Sequence, residues 1–262
     1  MMQLTRDQLE TLCGIAIAAG REIMDVYAGA IESWQKEDAS PLTQADLRAD
    51  AVIRAGLVSA FPGMFILSEE SVSAQQDDVD AFFLVDPLDG TKEFLKRNGE
   101  FTVNIALVQD GEPVAGVVLA PALEELFFAA KGLGAFKRAA GVTSSIHARS
   151  IPAGGPVRVV GSRSHGADAL GRWLDQLQVP HEFTAAGSSL KFCRIAEGAA
   201  DVYPRHGPTS QWDTAAAHAV LRAAGGQVLD AEGAPLRYGV ALPVLNPFFI
   251  ALGDSTFPFP AL

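Results

Sequence analysis

Leu84-Val85-Asp86-Pro87-Leu88-Asp89-Gly90-Thr91-Lys92-Glu93-Phe94 is the segment from which the rest of the chain can be read. The apolar run 81–85 reads as a strand that delivers Asp86 to its end. Pro87 then fixes φ for a turn, and Gly90 supplies the backbone freedom to leave it. Asp86 and Asp89 therefore stand close together at the mouth of a sheet, with Thr91 and the amides of a following helical segment beside them. Neighbouring carboxylates repel, and such a pair costs free energy unless a cation neutralises it. Oxygen donors with no His or Cys nearby select Mg²⁺ or Mn²⁺ rather than zinc. Helix-start amides next to a divalent cation suit a phosphate group.

The composition narrows the partners. The chain has 262 residues, 48% of them hydrophobic, enough for one large domain or two smaller ones. A formal net charge of −11 argues against a nucleic-acid-coating surface, which needs clustered Lys and Arg. It leaves room for a small anionic substrate, because a cation and a few local basic residues dominate a site. Cys13 and Cys193 lie in apolar stretches far apart, as two buried thiols in a reducing cytosol would. The apolar stretch 12–19 meets Arg21 and Glu22 and is too short to cross a bilayer. The expectation is a cytoplasmic protein without a transmembrane segment, with peripheral attachment at the inner membrane left open, and a monomer or homodimer.

The periodicity predicts helices over 5–28, opened by a Thr5/Gln8 capping box, and over 46–60. Strands follow at 64–67, 82–85, 101–108, 114–119 and 126–129, with Asp110-Gly111 as a hairpin turn and 132–134 as another turn. From about residue 150 the order alternates: strand 157–160, helices 168–177 and 188–197, strand 202–203, helix 214–224, then strands 227–229 and 248–252. An α+β half (1–145) carrying most of the acidic residues is thus expected ahead of an α/β half (146–262). Phe248, Phe249, Phe257 and Phe259 read as core, and Asp77, Asp78 and Asp80 as a solvated acidic loop.

Three more pieces join the central segment. Leu67-Ser68-Glu69-Glu70-Ser71 ends an apolar strand with two acids, of which one can point into a cleft. Ser40-Pro41-Leu42-Thr43-Gln44-Ala45-Asp46 places Asp46 near a helix start, and Gln211-Trp212-Asp213-Thr214 places Asp213 on the first turn of a small-residue helix. Each alone reads as an ordinary loop or cap. Together, a Glu-Glu pair, then D-P-L-D-G-T, then W-D near a late helix resemble the lithium-sensitive, Mg²⁺-dependent phosphomonoesterases of the inositol monophosphatase family. That resemblance covers nearly the whole chain and implies a layered αβαβα sandwich.

Inositol monophosphatases usually read D-G-T-x-N-F, whereas this chain reads Asp89-Gly90-Thr91-Lys92-Glu93-Phe94. With Ser162-Arg163-Ser164-His165, Gly187-Ser188-Ser189-Leu190-Lys191 and Asp201-Val202-Tyr203-Pro204-Arg205, it is similar to the family's bacterial 3′(2′),5′-bisphosphate nucleotidases. These remove the 3′-phosphate of adenosine 3′,5′-bisphosphate and leave AMP. Ser188, Lys191 and Arg205 offer a hydroxyl and two cations, without an obvious core role, for the phosphate that does not react. Gly90, Thr91 and Lys92 are the other expected substrate contacts, and His165 reads as a surface residue within reach of a nucleotide.

The resemblance implies one ion on Glu69, Asp86 and the Leu88 carbonyl, and a second on Asp86, Asp89 and Asp213. It also implies a water oriented by Glu69 and Thr91, with Asp46 bonded to Thr91, and direct attack without a phospho-enzyme. An inositol or sugar monophosphatase is the nearest alternative, and a non-catalytic metal or nucleotide sensor the alternative from another class. The sulfated nucleotide PAPS is a further candidate substrate.

Overall fold

The computed structural model describes residues 3–35, 41–71, 79–152, 154–162 and 167–262. Helix α1 (Arg6–Ala28) opens on the expected capping box: the Gln8 amide donates to the Thr5 hydroxyl, and the Thr5 amide to the Gln8 side chain. A small ribbon of β1 (Ser33–Gln35) and β2 (Pro41–Thr43) leads into α2 (Gln44–Ala60). Strand β3 (Phe65–Ser68), β4 (Ala81–Asp89), the short helix α3 (Thr91–Leu95) and β5 (Thr102–Gln109) follow. Next come β6 (Glu112–Ala120), β7 (Glu125–Ala130), β8 (Gly134–Ala139) and β9 (Val142–Ser145). The second part of the chain runs β10 (Val157–Gly161), α4 (Ala167–Gln176), β11 (His181–Ala185), α5 (Leu190–Ala196), β12 (Val202–Arg205), α6 (Gln211–Ala223), β13 (Gln227–Asp230) and β14 (Phe249–Leu252).

Strands β3 to β9 form one sheet in sequence order, parallel between β3 and β4 and antiparallel elsewhere. A second sheet has the order β11-β10-β12-β14-β13. Helices α1 and α2 bury Leu12, Ile23, Ala49 and Ile53 against Phe83, Val85 and Ile105 on one face of the large sheet. On its other face Phe82, Leu84 and Phe127 meet α5 and α6, whose far sides pack on Tyr203, Val228 and Phe249 of the small sheet. Trp173 and Leu177 from the α4 region cover the outer face of that sheet. The layers therefore run α–β–α–β–α, the expected sandwich.

The layers approach each other closely at Gly116 on β6. A Cβ there would sit inside the 3.0 Å that real Cβ atoms keep from the Ala216 carbonyl of α6, and 2.9 Å from the Ala219 methyl. Ala215, Ala216, Ala217 and Ala219 give α6 the slim face that this contact needs. The resulting seat places the first turn of α6, with Asp213, over the end of β4.

Several sequence expectations need correction. Strand β4 does not end before Pro87 but runs to Asp89, with a register irregularity between Asp86 and Asp89. Proline is tolerated where the ladder is already broken, because no hydrogen bond is lost there. Strands β1, β2, β8, β9 and β11 carry no clear apolar alternation, and β9 and β11 are exposed edge strands. Helix α6 starts three residues earlier than expected, at Gln211, and α5 starts later, leaving Ser188 outside it in the left-handed region at φ 47. Phe249 is core and Phe257 and Phe259 pack, partly buried, on the outer face of the small sheet, but Phe248 is 50% exposed. Asp110 and Gly111 both have positive φ and close the β5–β6 hairpin as expected, and Cys13 and Cys193 are free, buried thiols. His165, Asp77 and Asp78 lie outside the described residues. No helix among the described residues is long and apolar enough to cross a membrane.

Candidate active site

The left-handed Gly90 (φ 91) caps α3 and turns the chain sharply after Asp89. A Cβ at this position would run into the Ser188 hydroxyl, so the residue serves both a turn and a close approach. The Asp86 Oδ1 accepts from the Leu88 amide at 3.0 Å, and the Thr91 hydroxyl faces both Asp46 Oδ1 (3.3 Å) and the Leu88 carbonyl (3.4 Å). Asp46 is the third residue of α2. Its other oxygen accepts from the Thr43 amide and hydroxyl at 2.7 and 2.6 Å, which aims the carboxylate toward Thr91.

Glu69 stands in the single turn after β3, Asp86 near the end of β4 and Asp213 on the first turn of α6. One oxygen from each of the three falls within 4.8 Å of the others. The backbone of Ser210 donates to Asp213 Oδ2 at 2.8 Å and fixes its orientation. Asp86 is fully buried, and its Oδ2 has no hydrogen-bond partner among the described residues. A buried carboxylate oxygen without a donor is costly, and a hard cation is the partner that an all-oxygen set supplies. The residues present therefore fit a divalent metal ion.

The electrostatics agree. Burial first, then repulsion from Glu69, Asp89 and Asp213, raises the Asp86 pKa well above the ordinary carboxylate value. Burial and the Asp89 charge raise Asp213 to about 8. Burial raises Asp89 to about 6, although Lys191 and the Ser189 amide oppose the shift. These carboxyls bind protons more tightly in the folded protein than at their unfolded value of 3.8. Their contribution to stability is thus full below about pH 4 and is lost as the pH rises through 6 and then 8. The metal-free protein should lose thermal stability steadily from about pH 5 to pH 8. Saturating Mg²⁺ should flatten that slope in a melting series, and a metal-free profile that is already flat would contradict it.

A cavity of about 240 Å³ opens beside the cluster, lined among others by Asp89, Asp213, Ser188, Lys191, Tyr203 and Arg205. Lys191 is only 6% exposed. Its ammonium donates to the Ser188 and Ala186 carbonyls at 2.6 and 3.3 Å and lies 5.3 Å from the centre of the Tyr203 ring. Burial lowers its pKa to about 8, with Asp89 acting against the shift. Arg205 is oriented by the Gly207 and Pro208 carbonyls at 3.2 and 2.9 Å.

Not every expected contact fits equally well. The Ser188 hydroxyl is engaged by the Asp89 and Glu100 carbonyls at 2.9 and 2.8 Å, which makes it a clamp of the cavity wall. Lys92 is exposed on α3 and does not line the cavity, so the site does not bring it to the other residues. Glu70, the second acid of the pair, is outside the carboxylate cluster.

Thr102, Asn104 and Ser189, all buried around Asp89, have no site role assigned to them from the sequence. The first two were detectable, as alternate polar residues on one face of an otherwise apolar strand.

The chain matches the profile of the inositol monophosphatase family over residues 5–250. It is 50% identical to the 3′(2′),5′-bisphosphate nucleotidase CysQ of Salmonella typhimurium over 92% of this chain and 98% of that one. Against the same-named protein of Escherichia coli K12 the identity is 48% over the same shares. Among solved structures, CysQ from Bacteroides thetaiotaomicron superposes with a TM-score of 0.81 at 38% identity, covering 95% of this chain and 97% of the other. An inositol monophosphatase from Anabaena superposes at 0.75 with 26% identity, covering 94% and 90%.

Proposed function

Because the chain belongs to the inositol monophosphatase family, we propose that the carboxylate cluster and the adjoining cavity are one active site, that of a 3′(2′),5′-bisphosphate nucleotidase. The enzyme is a phosphoric monoester hydrolase that removes the 3′-phosphate of adenosine 3′,5′-bisphosphate and leaves AMP. The observation that carries this reading is the buried Lys191, which shares a cavity wall with Arg205, Asp89 and Asp213. A monophosphate needs only the metal side of such a cavity. A second cationic wall suits a second phosphate, with Arg205 providing a planar fork and Lys191 a point charge.

Glu69, Asp86 and the Leu88 carbonyl would hold one Mg²⁺, and Asp86, Asp89 and Asp213 another. Metal bound there supplies charge neutralisation for the reacting phosphate and acidifies water. The chain's own residues do the rest. The Thr91 hydroxyl has its proton directed at Asp46 and Leu88, so its oxygen remains an acceptor that can orient a water. Glu69 is the base assigned to that water among the clustered acids and takes up the proton that the attacking water loses. The α6 amides and the Gly90 turn add fixed positive dipoles toward the developing charge.

Phosphate release in Mg²⁺, compared for adenosine 3′,5′-bisphosphate and inositol 1-phosphate, tests the proposal. The expected result is a kcat/KM preference for the bisphosphate of at least about a hundredfold, the scale of one buried charge-assisted contact or two. A preference for inositol 1-phosphate would overturn the substrate assignment and leave the metal ligands standing. Lys191→Met, which keeps the aliphatic stem, should raise KM for the bisphosphate about tenfold or more with a smaller effect on kcat. Equal damage to inositol 1-phosphate turnover would remove Lys191 from the second-phosphate role.

A further inference from the structure

We propose that Asn104 and Ser189 are positioning residues that hold Asp89 as a metal ligand through one directed chain of buried hydrogen bonds. The proposal rests on the metal reading of the site given above.

Both hydrogen bonds to the Asp89 carboxylate fall on the same oxygen. Oδ2 accepts from the Ser189 amide at 2.7 Å and faces the Asn104 amide nitrogen at 3.5 Å, the long limit for such a bond. The Ser189 hydroxyl donates to Asn104 Oδ1 at 2.8 Å, and Thr102 Oγ1 lies 2.9 Å from the same hydroxyl. A serine hydroxyl has a single proton, and here it goes to Asn104. Thr102 must therefore be the donor in its contact with Ser189. The order is Thr102 to Ser189 to Asn104 to Asp89, with every proton pointing toward the carboxylate. Bonds aligned in this way polarise one another, and a low-dielectric setting strengthens them.

Thr102, Asn104 and Ser189 are each at most 1% exposed, so water does not compete for these groups. Register explains why they meet. Across the β4–β5 ladder Asp89 faces Thr102 and Asp86 faces Asn104, which puts both polar residues of β5 under the D-P-L-D segment. Ser189 comes from the loop before α5, 100 residues from Asp89, and joins the second half of the chain to the metal-side strand. With Oδ2 committed, Oδ1 accepts no hydrogen bond from the described residues and is the oxygen presented to a metal. Lys191 sits two positions farther on, so the segment that holds Asp89 also carries the second-phosphate cation.

Outer-sphere partners of metal-ligating carboxylates typically change metal affinity by about 10- to 100-fold when removed. The test is Mn²⁺ binding, measured by electron paramagnetic resonance on the full chain without substrate. Ser189→Ala and Asn104→Leu should each weaken the Mn²⁺ Kd at least about tenfold. The double variant should be little worse than the weaker single one, because one chain is being cut twice. Ser189→Thr, which keeps the hydroxyl, should restore most of the affinity. Activity should follow as a higher Mg²⁺ requirement, with kcat at saturating Mg²⁺ largely recovered. Should a single variant fail to fold by circular dichroism, the near-isosteric Thr102→Val cuts the chain at its outer end, with an expected loss of about threefold. Unchanged Mn²⁺ affinity in the folded variants, or fully additive losses, would overturn the inference alone. A wild-type chain that takes up no Mn²⁺ would overturn the metal reading and this inference with it.

Discussion

Asp213→Asn should lower kcat/KM for adenosine 3′,5′-bisphosphate at least about a thousandfold while making the metal-free protein more stable. The two effects have one cause. Asp213 is a half-buried carboxylate beside Asp86 and Glu69, and its raised pKa records the cost of keeping it charged there. Asparagine removes that charge, and its carbonyl oxygen can still accept the Ser210 amide, so the cap of α6 survives. What disappears is the negative charge that would attract a divalent cation. Steady-state kinetics and melting curves with Mg²⁺ or with chelator read both arms. Wild-type-like turnover would sink the assignment of Asp213 as a ligand. A lower melting temperature of the variant in chelator would show that its charge is not the burden argued here.

Gly116→Val is the largest structural effect to be expected, a loss of about 3 kcal/mol or more from overpacking. The residue faces a helix backbone rather than a flexible side chain, so the Ala216 carbonyl and the Ala219 methyl have little room to give. Helix α6 would have to lift from β6 and take Asp213 with it, so weaker Mg²⁺ stabilisation should accompany the lower melting temperature. Gly14 is the matched control. It lies exposed on α1 with nothing within 4 Å of where an added methyl would sit, and Gly14→Ala should be neutral or stabilising by about 0.5–1 kcal/mol. If Gly116→Val melted like the wild type, the packing of α6 on β6 would not be what seats Asp213.

Much of the site was legible because its parts are local. The Asp86–Thr91 segment carries its own turn chemistry, and Asp46 and Asp213 each occupy the third position of a helix with a capping residue three positions before. The Glu69-Glu70 pair is not resolved by its local sequence, since both follow the same strand; the family resemblance points to Glu69, and the tertiary arrangement places Glu69 in the cluster. Lys191 shows a different limit. Read as a lysine without a core role, it is in fact buried, with two backbone carbonyls holding its ammonium. Side-chain type does not reveal burial, because a charged group can be accommodated wherever the fold supplies acceptors. The edge strands β9 and β11 escaped notice for the opposite reason, since a water-facing edge needs no apolar alternation.

The sequence by itself determined the donor chemistry, an all-oxygen set built on D-P-L-D-G-T with two helix-start aspartates, and the alternation of elements that makes layers. Those properties depend on neighbours a few residues away, where turn geometry, capping and hydrophobic period act directly. The tertiary structure brings Asp213 to Asp86, as the family resemblance implies, and it alone decided that Ser189 and Asn104 hold Asp89 and that a buried Lys191 lines the cavity beside them. The Asp213–Asp86 and Ser189–Asp89 contacts join residues a hundred or more positions apart, and nothing local favours them. They form because the slim face of α6 fits against Gly116 and because one face of β5 keeps two polar side chains inside an apolar sheet.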